Sequence, residues 1–112
     1  MAVLRNALNG IAHAWRTQRN LRIQSVIAIL ALIVFAVLHA PAATFAIVAL
    51  TIAVVLAFEV MNTALEALVD LVSPQRQPLA RAAKDAAAGA VLITALGALV
   101  AGIVLAVALL PR

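Results

Sequence analysis

The chain has no cysteine, only four glycines, and only four acidic residues among 112. Without cysteine there is no disulfide framework, no thiolate nucleophile and no thiolate metal site. The glycines, at positions 10, 89, 97 and 102, are too few and too scattered for a Gly-rich phosphate loop. No GxxxxGK[ST] occurs, which excludes a P-loop. No HExxH is present and the two histidines, His13 and His39, stand far apart, so zinc chemistry is not expected. The net charge of +4 does not gather into a basic patch with interleaved aromatics, which argues against nucleic acid as a partner.

What fills the chain instead is apolar. Hydrophobic residues make up 67% and charged residues 11%, a balance that belongs to a membrane protein rather than a soluble domain. No formally charged residue lies between Arg22 and Glu59, and a second uncharged run follows Asp85 as far as Pro111. Pro41 and His39, in HAPAA (39–43), mark a turn inside the first run. Pro74, Pro78 and Pro111 all fall outside the apolar spans. A helix needs about 20 apolar residues to cross a ~30 Å hydrocarbon core, and its backbone must satisfy itself there. The expectation is an all-α membrane protein of one domain, residues 1–112, with transmembrane helices over about 22–39, 43–72 and 78–110.

Ahead of the spans, Leu4, Leu8, Ile11 and Trp15 share a narrow face at 100° per residue, with Asn9, His13, Arg16 and Asn20 opposite. This predicts an amphipathic surface helix over 3–20, with Trp15 at headgroup depth. An Arg-containing start, an apolar run and small residues at Ala40-Pro41-Ala42 also suit a secretory signal. The amphipathic order of residues 3–20 would have no purpose in a discarded segment, which favours the surface helix. Arg5, Arg16, Arg19 and Arg22 precede the first span, and Arg76, Arg81 and Lys84 lie between the second and third; only Arg112 falls on the other side. Positive-inside bias therefore sets the N-terminus and the 73–80 loop in the cytoplasm, with the HAPAA turn and the C-terminus outside.

All four acids, Glu59, Glu66, Asp70 and Asp85, lie in one short stretch. Glu59, Asn62, Glu66 and Asp70 stand at i, i+3, i+7 and i+11, within roughly 80° of one helix face. An ionisable side chain at such depth is costly and needs a reason. A stripe of hard oxygens suits Mg²⁺, which takes one or two carboxylates together with phosphate oxygens and water. A carboxylate in a partly desolvated position also suits general-base work. The plain alternative is a polar contact between helices. Downstream, RAAKDAAAGA places Arg81, Lys84 and Asp85 at the start of the third span, ahead of small residues that allow close helix approach. A cation and an acid there can meet nucleotide phosphates and a metal.

EVMNTALEALVDLVSP (59–74) followed by QPLARAAKDAAAGAVL (77–92) closely resembles the small prokaryotic diacylglycerol kinase family, especially its undecaprenol kinase branch. The likeness reaches back through AWRTQRNLRI (14–23) and covers nearly the whole chain. The resemblance implies a surface helix, three transmembrane helices per subunit, a homotrimer with shared active sites, and ATP with Mg²⁺ as phosphoryl donor to a membrane lipid alcohol. It implies Glu59 as general base, Glu66 as a metal ligand, Asn62 and Asp70 as its polar shell, and Lys84 and Asp85 as nucleotide contacts. Two positions depart from the family pattern. Gln18, in TQRNLR, stands where the family commonly has a second metal-ligating Glu, and a neutral amide oxygen is the weaker Mg²⁺ ligand. Gln77 and Arg81, in QPLAR, stand where the nucleotide-side loop often reads HPLAK. Two other readings compete with a lipid kinase: a small oligomeric transporter or proton relay whose buried glutamates carry ions, and an inactive scaffold derived from a kinase, with Gln18 as its mark.

Overall fold

A computed structural model describes residues 1–75 and 77–112 of the chain; Arg76, one of the cations weighed for orientation, lies outside the described residues. They form four helices: α1 (Ala2–Thr17), α2 (Arg19–Val37), α3 (Ala42–Val72) and α4 (Pro78–Ala108). The last three are each long and apolar enough to cross a membrane. The surface helix expected over 3–20 ends at Thr17. Gln18 takes an extended conformation (φ −115°, ψ 106°), so the first span begins at Arg19 rather than at residue 22. The other boundaries lie within two residues of expectation, and those at 72 and 78 coincide with it.

Each break has a local cause. Beyond α2, His39 occupies the left-handed region at φ 56°. Its N–H reaches the Ala36 carbonyl at 3.0 Å, and the Ala40 N–H reaches Phe35 at 3.0 Å. This is the Schellman arrangement, which closes the final turn and reverses the chain. Pro41 then caps α3 from outside, where a missing N–H costs nothing. Pro74 follows the cap of α3 at Ser73, and Pro78 opens α4 with φ already suited to a helix. Within the helices, Ser25, Thr51, Thr63 and Thr94 turn their hydroxyls onto carbonyls three or four residues earlier, at 2.7–3.0 Å. Those groups are thereby satisfied without water.

Packing centres on α3, which both α2 and α4 contact. The buried residues of α2, Leu21, Ala28 and Phe35, recur every seventh position, the spacing that keeps one seam facing a partner helix. On α3 the seam runs Val48, Val55, Glu59, Thr63. Between α2 and α4, floored by α3, lies an apolar cleft of ≈ 490 Å³ whose walls include Ala28, Ala31, Leu99 and Gly102. In its most apolar stretch α4 has no fully buried residue. Gly97 and Gly102 have no neighbour within 4 Å of where a Cβ would stand. On α1, the face carrying Leu4, Leu8, Ile11 and Trp15 is likewise exposed.

At about 1.5 Å per residue, α2 is about 28 Å long, whereas α3 and α4 are about 46 Å. Their common turn at 38–41 holds the far ends of α2 and α3 level. The C-terminal turns of α3 and the start of α4 therefore extend past the first residue of α2. α1 folds back at this level and contacts both α2 and α3.

Candidate active site

The acid stripe sits where packing gives way to solvent. Glu59 is only 3% exposed because it continues the phase of Val48 and Val55 on the packed seam. Asn62 and Glu66, one and two turns on, are half-buried, and Asp70 is exposed. The four residues expected on one face are thus on one face, graded from dry to wet along the helix. The burial of a carboxylate next to Val55 is not what packing energy alone would select, since an unpaired charge there costs several kcal/mol.

Two contacts organise the stripe. Asn62 Nδ2 donates to Glu66 Oε1 at 3.0 Å, an i,i+4 pair along α3. With the amide so turned, Asn62 Oδ1 is left buried with no hydrogen-bond partner. Lys84 Nζ on α4 forms an ion pair with Asp70 on α3, and Arg81 Nε meets Asp85 Oδ1 at 3.3 Å on the surface of α4. Thr63, which the sequence pattern did not single out, donates to the Glu59 backbone carbonyl at 3.0 Å. Glu59 itself makes no ion pair or side-chain hydrogen bond among the described residues.

The structure brings Asn62 to Glu66 and Lys84 to Asp70. It leaves Asp85 and Gln77 exposed and gives Gln18, half-buried at the break between α1 and α2, no side-chain hydrogen bond to either group. Among the described residues no three His, Asp or Glu side chains converge as a ready metal cage. A site for Mg²⁺ does not need one, because this ion retains water and leans on phosphate oxygens, with one or two carboxylates from the protein. Glu66 supplies one such carboxylate, and Asn62 Oδ1 is a neutral hard oxygen without a partner on the same helix face, so the donor chemistry of these residues fits the ion. The Asp70–Lys84 pair has a weak sequence signal: both residues were recognisable as polar, but their separation on two helices concealed that they meet.

A small helical membrane bundle that carries a graded acid stripe at the end of its central span, with a lysine brought in from the next helix, defines a membrane-embedded protein with an ion- and phosphate-compatible site. The chain belongs to the prokaryotic diacylglycerol kinase family, whose model matches residues 5–106. It is similar to a diacylglycerol kinase of Synechocystis sp., 42% identical over 99 residues that cover 88% of this chain and 57% of that protein. An undecaprenol kinase of Bacillus subtilis is 36% identical over 100 residues, covering 89% of this chain and 81% of the relative. The chain thus spans little more than half the length of the first relative and four-fifths of the second.

Proposed function

We propose that the chain transfers the terminal phosphoryl group of ATP to the hydroxyl of a membrane lipid, undecaprenol or diacylglycerol. The observation that carries this reading is the orphaned Asn62 Oδ1 beside Glu66, one turn from the buried Glu59. An amide oxygen left open on the face that carries Glu66 is what a ligand-receiving site offers, which supports this reading. The names of the two relatives point the same way.

In this reading Glu59 accepts the proton of the lipid hydroxyl. The hydroxyl oxygen forms its bond to phosphorus as the bond from phosphorus to the ADP oxygen breaks. Asn62 and Glu66 would hold Mg²⁺, with Gln18 as a weaker third oxygen, and the ion would supply charge neutralisation at the phosphates. Lys84, swinging from Asp70, and Asp85 with Gln77 meet the nucleotide. Phosphoryl transfer asks for positioning and charge neutralisation more than for covalent protein chemistry, and this set supplies both. The lipid hydroxyl reaches Glu59 from the hydrocarbon side while ATP enters from the wet end of the stripe, so the gradient in burial separates the two substrates.

The site lies at the cytoplasmic face of a prokaryotic cell membrane, the side that the distribution of Lys and Arg favours. α1 lies in the interface with its bare apolar face toward lipid. The active unit is a homotrimer, in which the exposed face of α4 that carries Gly97 packs closely on a neighbouring subunit. A thin-layer assay with labelled ATP against several lipid alcohols in mixed micelles tests the activity: labelled lipid phosphate is expected, dependent on Mg²⁺. Nucleotide-independent ion flux in vesicles, with no lipid phosphate formed, would replace this reading with a transporter.

A further inference from the structure

Arg22 sits one turn inside α2, yet its side chain reaches back across the break at Gln18. Its terminal nitrogen donates to the Trp15 carbonyl at 2.6 Å and to the Arg16 carbonyl at 3.3 Å. These are end carbonyls of α1, of the kind that a helix terminus leaves without internal partners. The carbonyls just before them are served locally: Gln18 N–H takes Ala14 at 2.8 Å and Thr17 Oγ1 takes His13 at 2.8 Å. Arg22 thus completes the cap of one helix from the body of the next. Its positive charge also faces the negative end of the α1 dipole.

The guanidinium is not drawn elsewhere. No acid occurs before Glu59 in the sequence, and the ion pairs among the described residues join α3 and α4 residues only. The first backbone bond of α2, from Arg22 N–H to the carbonyl of its N-cap Gln18, is long at 3.4 Å. The elbow packs tightly on either side, with Ala14 1% and Leu21 3% exposed. α1 contacts both α2 and α3, and the Arg22 clamp adds a direct hydrogen-bonded link at the elbow itself.

We propose that Arg22 is a positioning residue: by capping α1 it locks the Gln18 elbow, and so sets α1 and Gln18 over the wet end of the acid stripe. The part of this inference that concerns catalysis rests on the kinase reading. The part that concerns geometry does not.

The test uses the full chain in lipid nanodiscs. Because the chain has no cysteine, spin labels attach only where Cys is introduced, at Asn9 on α1 and Ala67 on α3. Labelled chain is diluted into unlabelled chain so that distances within one subunit are read. R22Q is expected to broaden a narrow distance distribution, and R22K, whose ammonium still donates to carbonyls, to restore most of it. In parallel, R22Q should raise the half-saturating Mg²⁺-ATP concentration by about tenfold, as misplacement of a binding element does, while kcat changes far less. R22K again recovers most of the loss. An unchanged distance distribution in R22Q overturns the proposal. So does a collapse of kcat with α1 still in place, which would make the guanidinium a direct substrate contact. If R22Q does not insert, R22M, which keeps the apolar stem but has no donor, carries the test: a distribution broader than the parent's supports the clamp, and one identical to it with half-saturation also unmoved refutes it. A parent protein without kinase activity would sink the kinase reading and leave the distance measurement to judge the clamp.

Discussion

Lys84 and Asp70 meet across the α3–α4 hairpin, an ammonium from the second turn of one helix on a carboxylate from the last turns of the other. Asp70 is largely exposed and Lys84 partly so, which limits such a pair to about 0–1 kcal/mol. Its use is therefore positional: it keeps the lysine at the wet end of the acid stripe. Asp70→Asn and Lys84→Ala should each lower stability by less than about 1 kcal/mol, with coupling in the double variant no larger. Lys84→Ala should in addition raise the ATP concentration for half-maximal activity. Denaturation in mild detergent and an ATP titration read the two effects separately. A stability loss of several kcal/mol would mean that the pair is structural.

Glu59 and Glu66 share a helix face but not an environment, one dry and one half-buried. Glu59→Gln should abolish turnover while ATP binding survives, because a base acts on the hydroxyl rather than the nucleotide. Glu66→Gln should instead weaken Mg²⁺-dependent nucleotide binding and leave Asn62 Nδ2 with only an amide oxygen to meet. Turnover and nucleotide binding, measured on the same preparations, separate the roles. Substantial activity in Glu59→Gln would remove the general base.

Orientation is open to direct labelling. Ala42, at the start of α3, and Gln75, beyond its end, are both exposed and lie at opposite ends of a helix about 46 Å long. In right-side-out vesicles a Cys at Ala42 should react with an impermeant reagent and one at Gln75 should not. The reverse pattern would turn the protein over in the membrane.

Much of this was readable from composition and spacing. Charge-free runs gave the three spans, and the i, i+3, i+7, i+11 pattern gave the acid face, because both follow from helix period and solvent cost alone. The break at Gln18 was not legible. Gln is an ordinary helix residue, and Leu4, Leu8, Ile11 and Trp15 carry their period straight toward it, so the local pattern gives no sign that the helix ends there. Nor was the cap from Arg22, since a side chain reaching back over seven residues leaves no periodic trace. The grading of the acid face from buried Glu59 to exposed Asp70 depends on where α2 and α1 end against α3, a tertiary fact that no local pattern holds.

His39 carries a conformational cost that its neighbours do not. At φ 56° it adopts the region glycine occupies freely at the end of a helix. Its ring Nδ1 lies 2.9 Å from the Val37 carbonyl, an exposed contact that offsets part of that cost. His39→Gly should therefore be neutral or stabilising, by about 0–1 kcal/mol, whereas His39→Val should destabilise by about 1 kcal/mol or more, because β-branching is least tolerated there. Thermal unfolding of both variants in detergent checks the order. A glycine variant less stable than the valine would show that the ring, not the backbone, holds the turn.

Gln18 occupies two roles that one substitution can separate. It is the residue at which α1 stops, and it stands at the N-terminal boundary of α2 without a side-chain cap. If its amide oxygen also serves the metal, Gln18→Glu restores a carboxylate and should lower the Mg²⁺ concentration for half-maximal activity, by an amount on the order of 1 kcal/mol. A negative charge at this point would also favour the start of α2 through its dipole, whether or not a metal is near. Gln18→Asp resolves the ambiguity, because the shorter side chain is the better cap and the poorer reach toward α3. A metal role predicts a lower Mg²⁺ midpoint for Glu and little change for Asp; a capping role predicts higher thermal stability for Asp and unchanged midpoints for both. Mg²⁺ titrations at fixed ATP and lipid, run beside thermal unfolding of the same three proteins, decide between them, and superimposable titrations would take Gln18 out of the active site.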